Sequence, residues 1–439
     1  MSLRRSGWNP WPLLREAAAS AFARNVAILV SGTTLGYGLT ALIAPVLSRL
    51  YTPADFGLLA LFTSIASILA EAASGRYELA VVLPDRDQES ANLLALAVLV
   101  AAAGCGLLCA GVALGARPLA ELLESPALAP YLWWIPPAVL AIALQRALSY
   151  WMTRRRAFRT VSTMHVARAI GVAGVQVGVG AAEATAGGLI GGRAVGEALG
   201  GLALLAQLPR GDRHLLRTAI TGRQMRAVAR AYADFPKFSM PQGLLNAISQ
   251  SVAALLLAAF FSAETVGLYA MAHRLLYLPS RFLGQSIRQV YVQQASERHA
   301  RGGNLHRLFA RTTVGLALLG LAPALLIVLW GPALFGFLLG EAWTLAGAYA
   351  RWMVVWLFFG FLNPPATMLM QVLRRQRALL WFDLALFVCR SAALLVGGTW
   401  GTPLATVAVF SLIGGVFNAG LILALWVYTR RHCAPPEPA

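Results

Sequence analysis

Apolar runs of about 20 residues, separated by short segments that hold arginine, recur along this chain from one end to the other. Few folds accept that pattern. A run of this length satisfies its backbone within itself as an α-helix and presents its side chains to hydrocarbon, which is how a chain crosses a bilayer. Twelve spans are expected, over roughly 25–47, 56–73, 91–114, 131–150, 164–182, 186–208, 238–261, 266–284, 309–330, 346–370, 378–398 and 403–428. Of the 439 residues, 58% are hydrophobic and 12% charged, whereas a soluble domain carries about 25% charged residues. A water-soluble enzyme, a disordered scaffold and a secreted disulfide domain are excluded on that ground. The fold class expected is an all-α polytopic membrane protein.

Lys and Arg number 36 against 18 Asp and Glu, and every basic residue except Lys237 is arginine. In a soluble protein that excess would suggest nucleic acid. Here the arginines fall between apolar runs, so inner membrane lipids and an anionic cargo are the partners expected, and no nucleic acid. Basic residues gather on the cytoplasmic side of short loops. With the N-terminus inside, the arm bearing Arg4, Arg5, Arg15 and Arg24, the run Arg154–Arg155–Arg156, the stretch 209–237, the 285–308 loop, Arg374 with Arg375, and Arg430 with Arg431 all face the cytoplasm. The opposite loops hold chiefly Arg49 and Arg117. A multi-pass topology with both termini cytoplasmic follows, and the membrane expected for it is a bacterial inner membrane. Its expected organisation is an arm (1–24), a six-helix lobe (25–208), an amphipathic linker (209–237), a second six-helix lobe (238–428) and a tail (429–439). In the linker, Arg223, Arg226 and Arg230 recur at helical spacing opposite Met225, Val228, Ala229 and Tyr232, which suits either a helix lying on anionic headgroups or a solvated connection.

Several chemistries lack their residues. Cys105, Cys109, Cys389 and Cys433 form no CxxC, and the six histidines form no HExxH, so no metal site and no cofactor is expected. There is no GxxxxGK[ST], so ATP does not drive the protein. Asp85-Arg86-Asp87 matches a DxD pattern, but without a soluble domain to hold a sugar nucleotide it reads as a solvated charge run. The chain is not expected to be an enzyme.

An internal repeat divides the chain. Tyr51-Thr52-Pro53-Ala54-Asp55-Phe56-Gly57-Leu58 in the first half answers Phe261-Ser262-Ala263-Glu264-Thr265-Val266-Gly267-Leu268 in the second, at an offset of 210. In each, a hydroxyl and a carboxylate are placed to cap a helix start, and a glycine follows to permit close packing. Six crossings separate the copies, so the lobes share one orientation and their pseudo-two-fold axis runs along the membrane normal, with a central site between them.

The segment Leu47-Ser48-Arg49-Leu50-Tyr51-Thr52-Pro53-Ala54-Asp55-Phe56-Gly57 resembles the first-loop signature of Wzx-type polysaccharide flippases, within the multidrug/oligosaccharidyl-lipid/polysaccharide exporter superfamily. The later Gly75-Arg76-Tyr77-Glu78-Leu79-Ala80-Val81-Val82-Leu83-Pro84 does too. The resemblance implies two six-helix lobes across a V-shaped cationic cavity. It also implies a cargo of oligosaccharide on undecaprenyl pyrophosphate, flipped to the periplasmic leaflet by alternating access for O-antigen, lipopolysaccharide or exopolysaccharide synthesis. A polysaccharide polymerase and chain-length machinery are further partners it suggests. A small-molecule, multidrug or peptidoglycan-precursor exporter of the same superfamily is the near alternative, and a membrane glycosyltransferase or polymerase a more distant one.

A charge at membrane depth costs about 2.5–3.5 kcal/mol on insertion scales, so each needs a partner, water or a function. Arg274 is expected about 12 Å into the eighth span, with Arg281 and Arg288 on nearly the same face. Arg390 is expected at mid-depth of the eleventh. These four, with Arg49, are the candidate substrate-binding cations, because a guanidinium fork suits phosphate oxygens. Asp383 could couple transport to an ion or pack against a neighbouring helix. Glu71, Arg76 and Glu78, at the cytoplasmic end of the second span, suit a gate or a headgroup contact. Arg193 and Glu197 are expected to neutralise each other at i, i+4. Gly188, Gly192, Gly196 and Gly200, with Gly174 and Gly178, are expected to form a packing ridge. Pro45 and Pro241 are expected to kink the first helix of each lobe.

Overall fold

The computed structural model describes residues 32, 34–36, 38–301 and 303–432, with the backbone alone for 279, 281–287, 289, 290 and 300. The arm at 1–24, the start of the first expected span and the tail beyond 432 lie outside the described residues. The chain is a multi-pass, all-helical membrane protein of two six-helix lobes. The first lobe consists of α1 (Ala44–Leu50, the end of an apolar helix that starts by Thr34), α2 (Pro53–Ala73), α3 (Asp87–Leu122), α4 (Ile135–Arg154), α5 (Phe158–Ala182) and α6 (Ala186–Ala206). Two short helices, α7 (Arg210–Thr218) and α8 (Gly222–Ala231), connect it to the second. That lobe holds α9 (Met240–Phe260), α10 (Ala263–Leu276) with α11 (Leu278–Ala300), α12 (Leu305–Leu339), α13 (Thr344–Leu362) with α14 (Pro364–Val372), α15 (Gln376–Trp400) and α16 (Pro403–His432). Among the described residues, ten helices are long and apolar enough to cross a membrane. The first span and the broken pair α10–α11 complete the twelve.

The repeat motif builds the centre. Thr52 caps α2 by accepting from the Asp55 amide, and the Asp55 carboxylate accepts from the Thr52 amide at 2.9 Å, a reciprocal capping box. Ser262 caps α10 in the same place, accepting from the Thr265 amide at 3.2 Å. α2 lies against both α9 and α10, so the second helix of one lobe packs on the first two of the other, and one hydrophobic core runs continuously through that contact.

Local expectations change at two segments. The third and ninth spans were expected to end near 114 and 330, but their helices continue: α3 runs on to Leu122 and α12 to Leu339. Arg117 and Pro118 end the apolar run without ending the helix. Pro45 stands just after a break at Ile43 within the helix Thr34–Leu50, and Pro241 at the second position of α9, so each marks an interruption in the first helix of its lobe. Pro241 follows a widened turn at Phe235–Ser239. In the linker, α8 turns Val228 inward and leaves Arg223, Arg226 and Arg230 exposed, as the spacing implies. Asp212 of α7 pins this segment to α4, accepting from Trp151 Nε1 at 3.0 Å and pairing with Arg155 at 2.9 Å.

Candidate functional site

A cavity of about 370 Å³ lies between the lobes, walled by α2, α5 and α6 on one side and by α9 and α10 on the other. Three arginines face it: Arg168 from α5, Arg193 from α6 and Arg274 from α10, with His165 and His273 beside them. Arg274 stands in the last turn of α10, where the helix carbonyls favour a cation, and its Nη2 donates across the lobe boundary to the Thr40 carbonyl at 3.2 Å. Behind the opposite wall, the buried carboxylate of Glu197 accepts from Arg168 Nη1 at 2.7 Å and from Arg193 Nη2 at 2.8 Å, both on Oε1. The expected Arg193–Glu197 pair is therefore part of a triad. Three arginines and no Asp or Glu stand among the described residues that line the cavity, so its wall is rich in positive charge.

Glycines set the distance between α5 and α6. A side chain on Gly196 would collide with Val172, and one on Gly192 would press on Gln176. Gly188 is filled from outside by the Tyr51 ring, whose hydroxyl donates to the Gln176 carbonyl at 2.7 Å. Gly174 and Gly178 have open space where a Cβ would stand, so they take no part in the ridge expected of them.

The cavity is closed on the side away from the arginine-rich loops. Ser48 Oγ donates to the Leu339 carbonyl at 2.8 Å, and Trp343 Nε1 donates to the Ser48 carbonyl at 2.9 Å. The Phe56 ring meets the buried Trp343 edge-on. On the arginine-rich side, Glu71 pairs with Arg76 and, at 2.9 Å, with Arg146. Gly75 and Arg76 both adopt left-handed backbone, with φ of 59° and 62°. That turn presses the Arg76 guanidinium onto the bare Gly243 of α9, and a side chain there would collide with it. Glu78 is buried and accepts from the Ser74 hydroxyl. Glu71 and Arg76 thus stand where the lobes meet, with Glu78 next to them.

The other candidate cations are placed elsewhere. Arg49 is exposed in the last turn of α1, and Arg288 is exposed on α11. The side chain of Arg281 lies outside the described residues. Asp383 is exposed on α15, the least covered of the spans. Arg390 does not line the cavity. Its guanidinium lies 4.2 Å from the Trp356 ring centre, and Trp356 stacks on His273 of the cavity wall, so Arg390 is one layer behind.

Arg168 and His165 are the site residues that sequence reasoning missed. The fifth span was expected to begin at 164, leaving Arg168 about 6 Å from its end. The helix begins at Phe158 and carries Arg168 about 15 Å in. The signal was the run of helix-compatible residues before 164, which continues the α5 periodicity through Arg159.

Solved structures share this fold. The lipid II flippase MurJ, in an inward closed conformation, matches over 91% of this chain and 87% of its own, at a TM-score of 0.66 and 11% identity. A multidrug resistance transporter of the MATE family in the MOP superfamily, in an inward-facing conformation, matches over 93% and 97%, at 0.67 and 14%. A MOP superfamily transporter from Pyrococcus furiosus, described by a binding pocket of reverse polarity, matches over 93% and 95%, at 0.57 and 12%. No curated protein sequence matches the chain. The family model described as polysaccharide biosynthesis protein matches residues 46–347, more than half of the chain. This chain belongs to the polysaccharide biosynthesis protein family, on the fold of the MOP superfamily transporters.

Proposed function

We propose that the protein is a flippase that carries oligosaccharide linked to undecaprenyl pyrophosphate from the cytoplasmic to the periplasmic leaflet of the inner membrane. The observation that carries this reading is the convergence of Arg168, Arg193 and Arg274 from both lobes on one cavity at membrane depth. A pyrophosphate diester carries two negative charges, and charge-assisted hydrogen bonds from guanidinium forks contribute about 1.5–3 kcal/mol each. Fixed cations also disfavour a cationic drug as cargo. The closed side, held by Ser48 and Trp343, then faces the periplasm, and the arginine-rich loops and the linker at 209–237 face the cytoplasm. Outward movement of the anion runs downhill in a cell that is negative inside, by about 2.3 kcal/mol per charge per 100 mV. A neighbouring polymerase and chain-length machinery would consume the delivered cargo.

The test is flipping by the purified protein in vesicles, with fluorescent lipid-linked oligosaccharide and lipid II offered separately. Arg274→Ala and Arg168→Ala should each slow flipping of the oligosaccharide at least about tenfold while inserting normally, because about 1.4 kcal/mol is tenfold in rate and one charge-assisted bond contributes at least that much. Arg274→Lys should fall between. Unchanged rates in both alanine variants overturn the reading, and faster transport of lipid II would make the cargo a peptidoglycan precursor.

A further inference from the structure

Arg390 stands about 21 Å along α15 from the start of that helix, in the corner between two nearly perpendicular rings. Its Cζ lies 3.7 Å from the Phe410 centroid and 4.2 Å from that of Trp356. Ring faces stabilise a guanidinium, but they leave its N–H edges unserved. Among the described residues, Arg390 Nε and Nη2 are buried and meet no acceptor. Two further buried hydrogen-bonding groups also lack a partner: Nε1 of Trp356, and Oγ of Ser411, one turn from Gly414 on α16.

Among the described residues, no carboxylate pairs with Arg390, and Glu264, the one acid of α10, lies five residues before the Tyr269 that faces it. The neighbouring helices α9, α13 and α16 contain no Asp or Glu, and Asp383, the sole acid of α15, is exposed and about 10 Å away along the axis. Arginine does not shed its proton. Water could occupy the N–H edges but would leave the charge uncompensated in a medium of low dielectric. Ser411 is fully buried, and Gly414 brings a bare Cα to the guanidinium, where a Cβ would stand 3.4 Å from Nε and 3.0 Å from Trp356 Cβ. A phosphate of the cargo is kept away by the wall of Tyr269, His273 and Trp356.

We propose that Arg390, with Trp356 and Ser411, forms a binding site for a small monovalent anion of halide size inside the second lobe, separate from the cargo cavity. Bromide serves as probe. At constant ionic strength, replacing sodium gluconate by sodium bromide should raise the unfolding midpoint of the purified protein by about 2–4 °C, saturably. Arg390→Gln should lose that response and Arg274→Ala should keep it. Gly414→Ala, which retains the charge and narrows the space, should weaken it. Bromide soaked into crystals of the unsubstituted protein should give an anomalous peak within about 3.5 Å of Arg390 Nε or Nη2. Equal midpoints in bromide and gluconate, a full response in Arg390→Gln, or an anomalous map without a peak there would each overturn the assignment. None of these outcomes bears on flipping itself.

Discussion

Gly57 and Gly267 make the same contact twice. A side chain on Gly57 would collide with the Ala263 carbonyl oxygen, and one on Gly267 with that of Pro53. The two glycines, and likewise Pro53 and Ala263, are 210 residues apart, so the contact is reciprocal in the way a two-fold axis requires. Each lobe supplies one glycine and one capped helix start, and neither motif can close without the other.

Valine at either glycine must push the lobes apart or break a helix start. Gly57→Val and Gly267→Val should each destabilise the protein by about 1–3 kcal/mol or more, read as a lower unfolding midpoint in detergent. Gly174→Ala, where a Cβ meets nothing within 4 Å, is the matched control and should be neutral or mildly stabilising. A Gly57→Val protein as stable as its parent would remove this contact from the architecture.

Trp343→Phe keeps the ring against Phe56 and deletes the donor to the Ser48 carbonyl. Loss of that buried hydrogen bond costs about 1 kcal/mol, which shifts a closed-to-open equilibrium roughly fivefold. A cysteine placed at the cavity residue Thr63, in a background without the native cysteines, should then be labelled about fivefold faster from the side that Trp343 closes. Equal labelling rates would show that the Trp343–Ser48 bond does not hold the cavity shut.

Periodicity and charge made the twelve spans and the two-fold repeat legible, because the bilayer fixes helix length and the motif carries its own caps. They could not show which face each helix turns inward. Arg274 is legible as a charge eight residues into the eighth expected span. Arg168 was hidden because α5 starts six residues before hydropathy rises. Arg390 was expected at mid-depth, and depth alone does not distinguish a cavity wall from an aromatic corner behind it. The inward turn of Gly188 and Gly192 and the idleness of Gly174 and Gly178 depend on helix rotation, which a four-residue repeat does not specify.

Asp212 joins the linker to the first lobe through Trp151 and Arg155. Asp212→Ala leaves a buried indole N–H without its acceptor and a guanidinium with one partner fewer, at a cost of about 1–3 kcal/mol locally. Because α7 is short and otherwise exposed, the loss should appear as local opening. Limited proteolysis within 209–237 should accelerate at least about fivefold while the unfolding midpoint of the whole protein moves little. Proteolysis at the parental rate would mean that α7 is held by its apolar contacts alone.

Glu197 provides the sharpest test of the cationic cavity, because it answers to two arginines at once. Glu197→Ala leaves Arg168 and Arg193 both without their carboxylate at membrane depth, and breaking a buried ion pair in this way costs about 3–5 kcal/mol. Removing Arg193 together with Glu197 restores the net charge of the parent triad. The double variant Arg193→Ala/Glu197→Ala should therefore unfold at a higher temperature than Glu197→Ala alone, although it lacks one more side chain. A purely additive result, with the double variant the less stable, would show that packing rather than charge governs the α5–α6 wall.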